Sequence, residues 1–222
     1  MPVNYTAPCA LTADFDENTR AMETAMHIPL SEDSVKREFM IAGRRAALYF
    51  VDGMVDNERV AHYVLSPCMQ TTATDITAET LMQLLVPVGS VAHTFSLSQA
   101  LARVYSGDAA LLCEGVDGAV VVDIKGYVKR GVTKPQNENV VEGPQEGFTE
   151  TLRDNIVLLR RMLRTPQLIS RAVQLGDKIE TRASVMYLEG VARADTVDEV
   201  LRRLQGCRAG FLCGIFFHAA LA

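Results

Sequence analysis

Apolar positions along the chain follow two rhythms, one extended and one helical. Ala46 to Val51 is an unbroken apolar run closed by Asp52-Gly53, the pattern of a buried strand ending in a turn. Upstream, Ser31-Glu32-Asp33-Ser34 introduces Lys36 to Ile41, a strand leading to Gly43-Arg44. Ala109 to Cys113 and Ala119 to Ile124 flank Glu114-Gly115-Val116-Asp117-Gly118, which predicts a hairpin because Asp-Gly supplies the positive-φ turn residues. Lys125 to Val132 continues as a further extended segment. Leu168 to Leu175 alternates apolar and polar residues as a half-buried strand does, and Ser184 to Leu188 is a second strand turned by Gly190.

The helical rhythm occupies the stretches between. Asp56 to Leu65 predicts a helix stopped at Ser66-Pro67. Asp75 to Leu85 predicts another, capped by Asp75 or Thr77, carrying Leu81, Leu84 and Leu85 inward and ended by Pro87 and Gly89. Ser96 or Ser98 caps a third with Leu97, Leu101 and Val104 inward, broken by Ser106-Gly107-Asp108. Val197 to Leu204 is a late helix. The most specific element is the turn and helix from Val141 to Arg164. Gly143-Pro144 fixes a tight turn, Gly147 adds a flexible point, and Thr149 or Thr151 caps free N–H groups. Glu146 and Glu150 suit the positive end of the helix dipole. Leu152, Ile156, Leu159 and Leu163 form one stripe, and Arg160, Arg161 and Arg164 gather near Thr165-Pro166, where the helix ends.

Alternating strands and helices predict an α/β fold of two small lobes with mixed sheets. Residues 1–30, mixed and aperiodic, read as a disordered leader. Residues 31–134 form the first lobe, 135–139 a polar link, and 140–205 a second, incomplete lobe. No internal repeat is evident, although both lobes use a strand ending in Asp-Gly or Glu-Gly. Residues 206–222 are an atypical tail. Its apolar stretch from Ala209 to Ala222, broken by Gly214 and His218, is too short for a bilayer and reads as a truncated or frameshifted gene end.

Composition narrows the function. The 222 residues are 48% hydrophobic and 22% charged, ordinary for a soluble domain, and a net charge of −5 argues against a general nucleic-acid binder. Five scattered cysteines (Cys9, Cys68, Cys113, Cys207 and Cys213) have no C-x-x-C spacing and read as reduced thiols of a cytosolic setting. The N-terminus has neither the basic nor the apolar region of a signal peptide, and no apolar stretch reaches membrane-span length. Phosphate-binding loops, G-x-G-x-x-G, H-E-x-x-H and G-x-S-x-G are absent. His27, His62, His93 and His218 stand far apart, and Asp52 and Asp117 are explained by turn chemistry. The expectation is a protein with no catalytic residue, no cofactor and no metal site. An anion at the helix start is disfavoured by Glu142 and Glu146.

The run EGPQEGFTETLRDNIVLLRRMLRTPQL resembles the signature of the spore germination GerA family, the A subunits of germinant receptors, with stage V sporulation protein AF as a relative. The likeness extends, in the family's order, through Arg44–Asp56, Val86–Gly89, Tyr105–Leu112, Pro135-Gln136 and Thr181–Ala192, covering about Val35 to Leu204. It marks Gly143, Pro144, Glu146, Gly147, Phe148, Leu152, Arg153, Asn155, Arg160 and Arg161 as signature positions with a structural or subunit-contact role. Arg153, Arg160 and Arg161 read either as donors to a neighbouring subunit or as a solvated helix face. The resemblance implies a domain on the cytoplasmic face of the inner spore membrane, with B and C subunits and other A subunits as partners. It also implies a role in coupling nutrient sensing to ion release. The alternative is a nutrient sensor binding a small molecule in a cleft between the lobes.

Overall fold

The computed structural model describes residues 10–85, 87, 89–126, 147–176 and 181–206. The first lobe is built around one strand. β2 (Arg44–Val51) pairs antiparallel along its whole length with β1 (Ser34–Ile41), and on its other side with β4 (Ala109–Cys113). β5 (Ala119–Val122) and the short edge strand β3 (Val91–Thr94) complete a five-stranded sheet in the order β1-β2-β4-β5-β3. Helices cover both faces, which is why β2 and β4 read as unbroken apolar runs. Ala46, Leu48 and Phe50 point into one cluster, and Ala47, Tyr49 and Val51 into another.

The first cluster is closed by a helical stretch of three parts: α2 (Asn57–Arg59), a π-helical turn (Val60–Leu65) and α3 (Ser66–Gln70). Ser66-Pro67 does not stop the helix as the sequence predicts. Pro67 lies in the opening turn of α3, where a residue lacking an N–H is tolerated. α4 (Ala78–Leu84), capped by Thr77, covers the same face. The second cluster is closed by α5 (Leu97–Val104), capped by Ser96, and by α1 (Phe15–Ala25).

α1 corrects the disordered leader expected over 1–30 for residues 15–25, while residues 1–9 lie outside the described residues. Asp14 accepts a hydrogen bond from the Glu17 N–H at 2.9 Å, and Phe15, Met22 and Met26 are buried in the second cluster. The helix was hidden because its inward face also carries Asn18 and Thr19, both buried. The sheets also differ from expectation: every pairing among the described residues is antiparallel, where mixed sheets were expected. The expected link at 135–139, most of the extended segment at 125–132 and the tail beyond Gly206 lie outside the described residues.

In the second lobe, α6 (Leu152–Met162) leads to a two-stranded sheet, β6 (Leu168–Leu175) and β7 (Thr181–Leu188), followed by α7 (Ala194–Gln205). This is a second copy of the opening of the first lobe. Thr12, Asn18, Asp52, Gly53, Val60 and Val64 recur 137 positions later as Thr149, Asn155, Glu189, Gly190, Val197 and Leu201. Local bonds recur with them. Asn18 accepts from the Thr12 N–H and donates to its carbonyl, and Asn155 does both with Thr149. The Thr12 hydroxyl accepts from the Asp14 N–H at 3.1 Å, and the Thr149 hydroxyl from the Thr151 N–H at 3.2 Å. The turn after the hairpin repeats as well: Met54 N–H to the Val51 carbonyl and Val191 N–H to the Leu188 carbonyl, both at 3.2 Å. Gly53 and Gly190 have φ of 78° and 77°.

The two glycines differ in what surrounds them. A Cβ on Gly190 meets nothing within 4 Å, whereas one on Gly53 falls 2.4 Å from Val157 Cγ2 of α6. Gly190→Ala should therefore cost only the positive-φ strain, ~1–2 kcal/mol. Gly53→Ala adds overpacking of ~1–3 kcal/mol. Urea unfolding of both variants checks the difference, and equal destabilisation would show that α6 does not pack on this turn.

Candidate functional site at the lobe junction

α6 carries the signature sequence, and its side chains tie the two lobes together. Arg153, at its first turn, makes a two-pronged ion pair with Asp52 of the β2 turn, at 3.0 Å from Nε and 2.6 Å from Nη2. Val157 packs against the second core cluster of the first lobe. Two turns after Arg153, Arg160 reaches back to the residues that precede β1. Its Nε donates to Asp33 at 2.6 Å and its Nη2 to the other Asp33 oxygen at 2.8 Å. Nη2 also donates to the Ser31 hydroxyl at 3.1 Å, and Nη1 to the Thr165 carbonyl at 3.2 Å. The guanidinium carbon stands 5.2 Å from the centre of the Tyr105 ring, within cation–π range.

The side chain of Arg160 is 1% exposed and that of Asp33 is 5% exposed, so the pair is sealed from water. A buried ion pair holds only if its remaining hydrogen-bonding capacity is used. Here Ser31 satisfies both partners: its hydroxyl donates to Asp33 at 2.9 Å while accepting from Arg160. The same oxygen accepts from the Ser170 N–H at 3.0 Å, and the Ser170 carbonyl accepts from the Glu32 N–H at 2.8 Å. Residues 31–33 thus join the first lobe to the edge of β6. Glu32 extends the contact by accepting from Ser170 and, at 2.6 Å, from Arg182 of β7. His27 and Glu189 form a further cross-lobe contact at 3.2 Å. Tyr105 ends the network at Ser34, 3.5 Å away, and burial pushes its phenol up from the ordinary value.

The signature residues fall into distinct places. Arg160 is neither a subunit donor nor a solvated residue; it is a buried tie within the chain. Arg153 pairs at the surface, and Arg161 is exposed, its carbonyl accepting from Arg164. Asn155 is buried and clamps Thr149, so the helix entry is fixed by a side chain inside the helix. Thr151 stands at the cap position and makes no side-chain cap bond. Ile156 is buried, Leu152, Phe148 and Leu159 are half-buried, and Leu163 is exposed. Gly147 is exposed with open space around it. Gly143, Pro144 and Glu146 lie outside the described residues. Sequence reasoning did not single out Asp33, Ser31, Glu32 and Ser170 as Arg160's surroundings; the one signal was a Ser-Glu-Asp-Ser cluster just before a strand.

Candidate chemistry elsewhere is sparse. Among the described residues no group of three His, Cys, Asp or Glu side chains could hold a metal ion. No helix among them is long and apolar enough to cross a membrane. Surface depressions lie beside α7, at Asp195, Glu199 and Arg203, and beside α4, at Glu79, Gln83 and Val91, away from the junction. Cys68 and Cys113 are free and buried in the first core cluster. Burial, with Cys113 nearby, pushes the Cys68 thiol up to about 12, and burial pushes Cys113 up to about 11. Cys9, Cys207 and Cys213 lie outside the described residues.

Asp33→Ala strands a buried guanidinium and should cost ~3–5 kcal/mol. Replacing both members, Asp33→Leu with Arg160→Met, should recover much of that loss, while Arg153→Ala at the exposed pair costs at most ~1 kcal/mol. Denaturant titration gives all three values, and a large loss for Arg153→Ala would reverse the ranking. For the thiols, the folded chain keeps its protons at pH values where unfolded thiols, near pKa ~8.5, release theirs. Their contribution is therefore intact below about 8.5 and is lost as pH rises toward the folded values. Stability measured from pH 7 to 10 should fall, and the Cys68→Ala, Cys113→Ala double variant should show a shallower slope.

Comparison with known proteins accords with this arrangement. The Bacillus/Clostridium GerA spore germination protein family model matches residues 20–212. Spore germination protein B1 of Bacillus subtilis (strain 168) is 32% identical over 165 residues, which is 73% of this chain and 34% of that protein. Spore germination protein KA of the same strain is 26% identical over 188 residues, covering 82% of this chain and 35% of that one. Stage V sporulation protein AF is 26% identical over 195 residues, 85% of this chain and 38% of the other. The chain thus spans little more than a third of the length of these relatives. The fold matches the crystal structure of the N-terminal domain of the A subunit of the Bacillus megaterium spore germinant receptor GerK3. That match has a TM-score of 0.71 at 24% identity and covers 90% of this chain and 74% of that one. With the family's model matched along most of its length, and its signature helix placed as the tie between two lobes, this chain belongs to the GerA family of spore germination proteins.

Proposed function

We propose that this chain is the N-terminal region of a germinant receptor A subunit. It works through subunit assembly and by coupling nutrient sensing to ion release, without catalysis. Its setting is the cytoplasmic face of the inner spore membrane, and its partners are B and C subunits and further A subunits. The observation that carries the reading is the α6 tie. One helix holds both lobes through an exposed pair at Arg153 and a buried pair at Arg160. Displacement of one lobe is therefore transmitted to the other, as a coupling element requires. The matched relatives are spore germination proteins, and the matched fold is an A subunit's N-terminal domain. The nutrient-cleft alternative is less favoured, because protein side chains themselves occupy the junction where such a ligand would lie.

The test is co-expression of the tagged chain with the B and C subunits of the same genome. Co-elution of the three on affinity purification and gel filtration is expected. A chain that elutes alone, while B and C are present and folded, overturns the assembly reading. Thermal stabilisation by an amino acid, sugar or nucleoside would favour the nutrient sensor instead.

A further inference from the structure

We infer that His27 and Glu189 form a proton-operated latch between the lobes, the titratable half of a reciprocal pair whose other half is permanent. The repeat makes the pair visible. Asp52 and Glu189 occupy matching positions, each one residue before a turn glycine of positive φ, Gly53 or Gly190. Each carboxylate meets a cationic side chain from the opposite lobe. Asp52 receives Arg153 of α6 at 2.6 Å, and Glu189 receives His27 Nε2, from the end of α1, at 3.2 Å. Arginine is not deprotonated in proteins, whereas imidazole is the side chain whose ordinary titration falls between roughly pH 5 and 8. One tie is constant and the other answers to protons.

The backbone holds His27 in place for this contact. The Ile28 N–H donates to the Glu23 carbonyl at 2.9 Å, and the His27 N–H to the Thr24 carbonyl at 3.2 Å, closing the C-terminus of α1. That closure puts His27 in the left-handed region, with φ of 54°, where glycine or asparagine is the usual choice. A side chain kept in a disfavoured conformation points to a role for the side chain itself. A protonated ring there also sits at the negative end of the α1 dipole. The His27 side chain is 17% exposed and that of Glu189 54% exposed, so solvent protons reach the pair.

The other charged groups on the surrounding elements are already engaged. On α1, Glu23 pairs with Lys36. In the segment after His27, Glu32 pairs with Arg182 and Asp33 with Arg160. Arg164, past the end of α6, donates to the Arg161 carbonyl, and Arg193 pairs with Asp195 at the start of α7. Glu189 is the carboxylate placed on the His27 ring. The ion pair needs a protonated ring and an ionised carboxylate, so it is present above the carboxylate range and lost as pH rises through the imidazole range. A neutral ring still offers one N–H, but at a half-exposed carboxylate that bond competes with water. With the latch released, Arg153–Asp52 and the buried Arg160–Asp33 pair still join the lobes, which loosen at this corner alone. The inference goes beyond the assembly reading and fails separately, since it concerns one chain and no partner subunit.

The experiment is a double-mutant cycle on the purified chain, His27→Asn with Glu189→Gln, by denaturant unfolding at about pH 5.5 and about pH 8. Asparagine keeps the left-handed backbone while removing the titratable ring. The expected coupling is roughly two- to fivefold in the unfolding equilibrium at the lower pH, falling to near unity at the higher. The cycle of Arg153→Gln with Asp52→Asn should give the same coupling at both. In the unaltered chain, NMR signals of the Glu32 and Ser170 amides, which bond at the junction, should shift in step with the His27 ring. A His27–Glu189 coupling that is absent, or equal at the two pH values, overturns the inference. Junction amides of the unaltered chain that ignore the His27 titration overturn it equally, and that measurement needs no variant to fold.

Discussion

A single guanidinium sets the relation between the two halves of this molecule. Arg160 comes from the helix that opens the second lobe, yet its carboxylate partner, Asp33, lies 127 positions earlier, immediately before the first strand of the first lobe. Neither charge reaches water, so each is tolerated only because the other is there. Ser31 and the Thr165 carbonyl use up the remaining hydrogen-bonding capacity, and the Tyr105 ring covers the guanidinium face. The two lobes cannot separate at this point without exposing an unpaired charge to an apolar wall or letting water into the junction.

The internal repeat explains how such a junction arises from ordinary parts. Each lobe begins with the same device, a threonine clamped by an asparagine six residues on, then a helix, a hairpin and a Gly turn of positive φ. In the first lobe the helix, α1, packs under its own sheet beside α5. In the second, α6 instead turns cationic residues toward the first lobe, where α1 carries Asp16 and Glu23 at the matching positions. Asp16 and Glu23 pair within their own lobe, with Arg45 and Lys36. Charge reversal on one copy therefore converts an intralobe surface into an interlobe tie. The hydrophobic side of the repeat is conserved in kind: Val60 and Val64 close one face of the first hairpin, and Val197 and Leu201 close the same face of the second.

Much of the fold is legible in the chain, for physical reasons that also mark the limits. β2, β4 and β5 are apparent because strands covered on both faces need apolar residues at every position. α1 escapes because two of its buried positions are Asn18 and Thr19, which look like loop residues until their hydrogen bonds are seen. β3 escapes because four half-buried residues at a sheet edge carry too little pattern. The repeat is concealed by compensating length changes. The connection from α6 to β6 is shorter than that from α1 to β1, and the β6–β7 loop is longer than the β1–β2 loop, so the hairpins drift out of register and return. The junction is least legible of all, since spacing along the chain says nothing about a partner 127 residues away.

The signature helix therefore carries two kinds of constraint that a single sequence cannot separate. Asn155 and Ile156 are fixed by local needs, the helix entry and a buried face. Arg153 and Arg160 are fixed by the opposite lobe, and Gly53 by the close approach of Val157 from that same helix. A stretch in which both constraints overlap has little freedom to vary, because a change suited to one lobe breaks contact with the other. The same overlap anchors the helix at two points of the first lobe: Arg153 holds the β2 turn and Arg160 the residues just before β1. Those two points bracket the one hairpin whose inner strand both core clusters share. α6 is thus fastened to the close-packed centre of the first lobe, where any change in the size of a side chain is felt by both clusters.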